Sequence, residues 1–311
     1  MASRASLAVR IAAGLIPALL TAGEPALPRG LLLDGAVSGS LAVVVGERGS
    51  IWVSRAPAAG WRQVAAPTRA TLTGVALAPP TAEGTPGIGW AVGHDAIVLA
   101  TSDGGTTWTR QYQGENLQDS FLDVLALDAR NAIAVGAYGL YLSTRDGGAT
   151  WERRPVQDGD AHLNRITRSA AGTLFVAGEG GTLLRSRDQG TTWSPLRPPY
   201  AGSFYGVLPL DRRTLLAHGL RGHLYRSADE GDTWQEIPPP VVGLLATAVR
   251  LRSNLILVGG PARALAASRD YGLTFSLVPG APATAVAELL ELPDGQVLAL
   301  GEAGATVLPL P

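Results

Sequence analysis

The chain has 311 residues, a formal net charge of −1 and no cysteine. That length fits one large all-β domain as well as two ordinary ones, and the balanced charge leaves no electrostatic footprint for nucleic acid or an anionic membrane surface. Without cysteine there is no disulfide, thiolate metal site or thiol nucleophile, so the fold stands on packing alone. Glycine (39) and proline (22) are frequent without low complexity, as many short strands joined by turns require. All 25 basic residues are Arg; GC-rich coding accounts for this without appeal to function.

Residues 1–23 read as an export signal. Arg4 and Arg10 precede the apolar run IAAGLIPALL (11–20), and small residues then offer a cleavage site after Ala22 or Gly23. The run is short for a membrane span; the alternatives are an uncleaved anchor or a misassigned start in front of a cytosolic protein. The expected domain is 24–311.

From residue 45 onward one unit recurs: a glycine pair, a short apolar strand, then [S/T]-x-D-x-G-x-T-[W/F]. VGERGSIWVSRAPAAGW (45–61) keeps Ser54 and Trp61 but has Ala56 and Ala58 in place of Asp and Gly. Then come VGHDAIVLATSDGGTTW (92–108), VGAYGLYLSTRDGGATW (135–151), AGEGGTLLRSRDQGTTW (177–193), HGLRGHLYRSADEGDTW (218–234) and VGGPARALAASRDYGLTF (258–275). LGEAGATVLPLP (300–311) keeps the glycine pair, and the sequence stops there. The box aspartates Asp103, Asp146, Asp188, Asp229 and Asp270 are 43, 42, 41 and 41 residues apart. Ahead of each glycine pair lie two more apolar segments, such as FLDVLALD (121–128) and NAIAVGA (131–137). Strand, turn, strand, glycine turn, strand, box turn, strand is one propeller blade per period. Seven such units predict an all-β fold: a single seven-bladed β-propeller of four-stranded antiparallel blades. A piece near residues 30–34 is expected to supply the missing strand of the last blade and close the ring.

The box reads as structural. Its Asp can accept backbone N–H groups of its own turn, and the fifth-position glycines Gly105, Gly148, Gly190, Gly231 and Gly272 can take positive φ. Trp108, Trp151, Trp193, Trp234 and Phe275 can pack between blades. Carboxylates do not alternate in the box as a calcium loop needs.

These boxes are the BNR/Asp-box repeat of bacterial sialidases, sortilin-type receptors, some xyloglucanases and the photosystem II stability/assembly factor family. The full unit most resembles the last, over residues 41–311. The resemblance implies a seven-bladed propeller without catalysis that acts as an assembly scaffold for a membrane protein complex. Similar proteins of non-photosynthetic bacteria are often associated with membrane exporters. The chain departs from the pattern in its first unit and in the weakened glycine pairs at His94–Asp95 and Pro261–Ala262.

The rival reading is a glycan-active enzyme. Sialidase chemistry needs three Arg, a Tyr nucleophile with its Glu, and an acid, and the F/Y-R-I-P signature is absent. A glycosidase needs two carboxylates facing across a cleft; an ion-pair constellation in the central channel would favour that reading, and a flat charged and aromatic face would favour a scaffold. His218 and His223 flank one glycine turn, but no third metal ligand suggests itself, and His94, His162, His218 and His223 read as satisfied surface residues. Propellers bind partners at the channel mouth and the loops around it. Asp123, Asn164, Arg165, Tyr205 and Thr247 are expected at the starts of innermost strands, and Arg48, Asp95, Tyr138, Glu179 and Arg221 in the glycine turns. That mixture of Arg, Tyr and acids suits a protein or peptide partner. The sequence thus reads as an exported, monomeric, non-enzymatic scaffold for a membrane-associated protein complex, with no cofactor, no metal and no nucleic-acid partner.

Overall fold

The structure is a computed structural model that describes residues 27–56, 60–80 and 87–310. The expected leader, 1–23, and Ala58 lie outside these residues. Among the described residues no helix is long and apolar enough to cross a membrane.

Seven antiparallel sheets follow one another in chain order, six of four strands and the last of three. Within each, neighbours in sequence are neighbours in space. The first strands of the sheets are Leu32–Ser38, Leu72–Leu77, Phe121–Ala126, Leu163–Arg168, Phe204–Pro209, Thr247–Arg250 and Val286–Glu291. Each packs against the first strand of the next sheet, and the seventh packs against the first. They therefore form the inner wall of a closed seven-bladed propeller.

The strands differ as their positions demand. Second strands such as Leu41–Gly46 and Ala132–Gly136 are continuous apolar runs, buried at every residue, as strands covered on both faces should be. Outer strands such as Glu152–Arg153 and Ser194–Pro195 are short, polar and exposed, which protects the rim from edge-to-edge pairing. Seven apolar clusters fill the clefts between adjacent blades. One of them joins Leu32, Ala42 and Val44 of the first blade to Leu290, Leu298 and Leu300 of the last. The box aromatics seal these clefts from the outside: Trp108 is buried between the first two blades, and Trp151, Trp193, Trp234 and Phe275 pack against the next four clefts.

Closure differs from the expectation for residues 30–34. Leu32–Ser38 is the innermost strand of the first blade, paired with Leu41–Gly46, not the outer strand of the last. The alternation of LLLDGAVS lets one face meet the neighbouring blade while the other faces the channel, a pattern that an outer strand does not need. The last blade also reaches the residues just ahead of this strand, where Ala305 N–H donates to Pro28 O at 2.9 Å.

Each Asp-box is a closed hydrogen-bond circuit. In the fourth blade, Ser186 Oγ accepts from Gly190 N–H and donates to Asp188 Oδ1, both at 2.8 Å. Asp188 in turn accepts from Thr192 N–H at 2.8 Å and Thr192 Oγ1 at 2.7 Å. The same four bonds recur around Asp103, Asp146, Asp229 and Asp270. Thr107 and Thr192 backbone N–H groups hold Asp103 and Asp188 down to about 2, and the Thr150 and Thr274 hydroxyls do the same for Asp146 and Asp270. Asp229 is also lowered, its Thr233 bonds overcoming the opposing effect of burial. The turn needs two successive left-handed residues, not one. Gln189, Glu230 and Tyr271, at φ of 57, 62 and 63°, precede the fifth-position glycines.

Candidate functional site

The bulge in the innermost strands creates the site. In six blades the register to the second strand slips by one residue just after the strand begins, as between Leu32 and Asp34 or Leu163 and Arg165. A bulge re-aims the side chain that follows it. The residues at this position are Asp34, Gly74, Asp123, Arg165, Gly206 and Glu288, and Thr247 takes it in the sixth blade, opposite Gly259. One column of the repeat thus becomes a ring near the channel mouth.

The polar members of the ring tie blade to blade. Asp34 Oδ2 accepts Val75 N–H at 2.7 Å, and Asp123 Oδ2 accepts Ile166 N–H at 2.9 Å. Thr247 Oγ1 accepts Leu289 N–H at 3.3 Å and donates to Glu288 Oε1 at 2.9 Å. Each acceptor takes the N–H that follows the ring residue of the next blade. One position earlier, Thr73 and Asn164 donate to the carbonyls of Phe121 and Phe204, again in the next blade. Gly74 has no side chain because a Cβ there would lie 2.9 Å from Asp123 Cα.

Across the channel, Arg165 Nη2 donates to Glu288 Oε2 at 2.5 Å and lies 3.9 Å from Asp34 Oδ1. Three buried carboxylates therefore share one guanidinium. Burial and the charge of Glu288 push Asp34 well above the usual carboxylate range, against the pull of Arg165. Burial also pushes Asp123 up to about 6, opposed by Arg165 and the N–H groups it accepts. Burial disfavours the charge on Arg165, but Glu288, Asp123 and Asp34 overcome it and raise its pKa. These residues line a cavity of about 200 Å³ together with His218.

His218 corrects the surface reading of the histidines. It is 2% exposed, stands on the second strand of the fifth blade, and fills the space that Gly206 leaves. Its Nδ1 lies 2.9 Å from Leu245 O, and burial holds its pKa down to about 4. His223 faces away to the surface, beside Tyr200 and 3.2 Å from Glu236. The two do not form a metal pair, and among the described residues no group of three His, Cys, Asp or Glu side chains could hold a metal ion.

The glycine turns, the linkers between blades and the channel mouth share one face, here the top face; the boxes lie on the other. Arg48, Asp95, Tyr138 and Arg221 occupy the same turn position, with φ between 54 and 58°, and all four are exposed. Glu179 sits one position earlier, with Gly180 at the left-handed site. It accepts His162 N–H at 3.2 Å, as Glu47 accepts Leu31 N–H at 3.1 Å, so it fastens the chain and is not one of the projecting residues. Tyr138 is 64% exposed and packs edge-on against His162 at 4.8 Å.

Of the expected channel-mouth residues, Asp123, Arg165 and Thr247 come together in the ring. Asn164 is one residue outside it in an inter-blade bond, and Tyr205 occupies the corresponding bulge position, half-buried. Sequence reasoning missed Asp34, Glu288 and His218. Aligning LLD (32–34), LTG (72–74), FLD (121–123), LNR (163–165), FYG (204–206), LAT (245–247) and VAE (286–288) exposes the column. The alignment is hidden as long as the first of these segments is assigned to the last blade.

Residues 111–253, from the outer strand of the second blade into the sixth, match the family model described as Photosynthesis system II assembly factor YCF48. Over those residues, fewer than half of the chain, it is similar to that family. No curated protein matches the sequence. Among solved structures, the one described as YCF48 bound to D1 peptide superposes with a TM-score of 0.72 at 21% identity, covering 92% of this chain and 96% of that one. YCF48 from Cyanidioschyzon merolae gives 0.71 at 16% identity, covering 90% and 95%. The WD40 propeller domain of Doa1 gives 0.69 at 11% identity, covering 91% and 95%. At such identities the likeness is one of fold.

Proposed function

We propose that this propeller is an exported, monomeric, non-enzymatic scaffold that holds a membrane-associated protein or protein complex against its top face. The observation that carries the reading is the set of glycine turns. One rigid backbone conformation, repeated from blade to blade, projects Arg48, Asp95, Tyr138 and Arg221 into solvent. Identical geometry with changing chemistry makes a surface that recognises a specific partner, and Arg and Tyr are the side chains that dominate such contacts. A YCF48 structure is described as bound to D1 peptide, which supports a protein or peptide ligand for this chain as well. An exporter-linked complex is the client the proposal favours.

A glycan-active enzyme is the second reading, and the channel carboxylates are the observation that favours it. The cavity they line, about 200 Å³, is smaller than the roughly 300–1,000 Å³ of typical organic-ligand sites. Both oxygens of Asp123 accept backbone N–H groups, and those of Glu288 bond Thr247 and Arg165. These acids are engaged in holding the blades together.

The test is affinity capture of the tagged protein, expressed with its own leader, from crosslinked envelope fractions. Processed protein with one enriched membrane partner supports the proposal. Soluble cytosolic protein with no partner overturns it.

A further inference from the structure

The channel cavity has an excess of acceptors. Among the residues that line it, the only charged donor is Arg165, which faces three carboxylates. Two acceptor atoms there receive no hydrogen bond from the described residues. Asp34, 6% exposed, uses Oδ2 for Val75 N–H, but its Oδ1 is 3.9 Å from the nearest guanidinium nitrogen, beyond hydrogen-bond reach. His218, 2% exposed, is the second. Its Nδ1 contacts the carbonyl of Leu245, which can only accept, so in the neutral ring the proton is on Nδ1. That leaves the Nε2 lone pair facing the cavity as a bare acceptor. The bulge aims the carboxylates, and Gly206 makes the room that lets the imidazole reach the channel.

Among the described residues nothing donates to these two acceptors, so only solvent or a ligand in the open cavity can satisfy them, and a surplus of carboxylates over guanidinium is costly. One group relieves both: a cation carrying several N–H donors. A dication or an anion fits less well, because Arg165 already stands in the site. The cavity is reached from solvent, since Arg165 keeps 25% of its side chain exposed. Its volume suits one small head group and not an extended ligand.

We infer that the channel mouth binds a single organic monocation, an ammonium or alkylguanidinium group, between Asp34 Oδ1, His218 Nε2 and the Glu288 carboxylate. The inference rests on the reading of the propeller as a binding module, and it specifies the chemistry: a Lys or Arg side chain of a docked partner, or a free small amine.

Calorimetric titration of the full chain with n-butylammonium and n-butylguanidinium tests it, with n-butanol as the neutral control. Saturable binding of either cation, with none of butanol, is expected. Asp34→Asn keeps an acceptor for Val75 N–H but turns a donor toward the cavity, and should weaken cation binding at least 10-fold without lowering the thermal midpoint. Glu288→Gln should also weaken cation binding at least 10-fold, but it removes the direct partner of Arg165 and should lower the thermal midpoint as well. Acetyl-Gly-Lys-Gly-amide and acetyl-Gly-Arg-Gly-amide separate the two sources: tighter binding than the free cations points to a partner side chain, equal or weaker binding to a free amine. No cation binding, butanol binding equal to that of the cations, or unchanged affinity in both folded variants overturns the inference. If those results come with undiminished partner capture by Asp34→Asn, the scaffold reading survives alone. If the cations bind and no partner is captured, the reverse holds.

Discussion

Replacing Arg165 with Met removes what is, among the described residues, the only counter-charge of three buried carboxylates, while keeping much of the side-chain volume. Breaking a buried ion pair from one side costs about 3–5 kcal/mol. Coulomb's law at an effective dielectric of 20 gives about 4 kcal/mol for charges 4 Å apart. Arg165 is one-quarter exposed, so the low end, about 3 kcal/mol, is expected at pH 8. The pH dependence is more diagnostic than the size. Asp34 and Asp123 already have raised folded pKa values, Asp123 at about 6, and Arg165 restrains both. A carboxylate whose folded pKa is raised favours the fold below its unfolded pKa and loses that contribution as pH rises through the folded value. Without Arg165 both values climb further, so the deficit must be largest at pH 8 and shrink as pH falls below about 6. His218, held down to about 4 by burial and, less strongly, by Arg165, acts in the same direction, because losing Arg165 eases its protonation. Urea unfolding of both proteins at pH 8 and pH 5, followed by tryptophan fluorescence, measures this. An equal deficit at the two pH values, or none at pH 8, refutes the electrostatic account of the ring.

Three further outcomes follow from the boxes. Ser186→Ala leaves the buried Gly190 N–H without its partner and should cost about 1–3 kcal/mol in urea unfolding. Trp193 Nε1 is buried without an acceptor, whereas Trp108 Nε1 donates to Gly105 O at 3.2 Å; Trp193→Phe should therefore cost about 1 kcal/mol less than Trp108→Phe. Asp188, depressed to about 2, contributes stability that is present above its unfolded pKa and is lost as pH falls through about 2. Asp188→Asn should be less stable than the natural protein at pH 5, and the gap should close toward pH 2 in thermal melts.

The fold was legible because the repeat writes each turn in full. [S/T]-x-D-x-G-x-T-[W/F] specifies a circuit in which Ser186 bonds Gly190 and Asp188, and Asp188 bonds Thr192, so five copies mark the second to sixth blades and the glycine turns supply the first and the last. Closure is harder to read because LLLDGAVS carries no turn signature of its own, and the strand missing from the last blade invites the wrong assignment. The candidate site was legible only in part. Asp123, Arg165 and Thr247 stand where the strand starts suggested. The bulge shifts side-chain direction by one residue without marking the sequence, however, so the whole ring could not be seen as a ring. His218 reaches the channel from the second strand through the gap at Gly206, a long-range compensation that a reading of single repeats does not reveal. Glu179 is offset by one residue because two glycines follow it in its turn, and either could be the left-handed position.

The most direct test of the central claim is envelope capture with face-specific variants. Tyr138→Asp combined with Arg221→Glu alters the top face at two exposed turn residues. Thr106→Glu combined with Thr191→Glu alters two exposed box residues on the opposite face. The account predicts that the first pair loses the membrane partner at unchanged thermal stability while the second pair retains it. Loss of the partner only in the box-face variant, or retention in both, contradicts the claim that the top face is the binding surface.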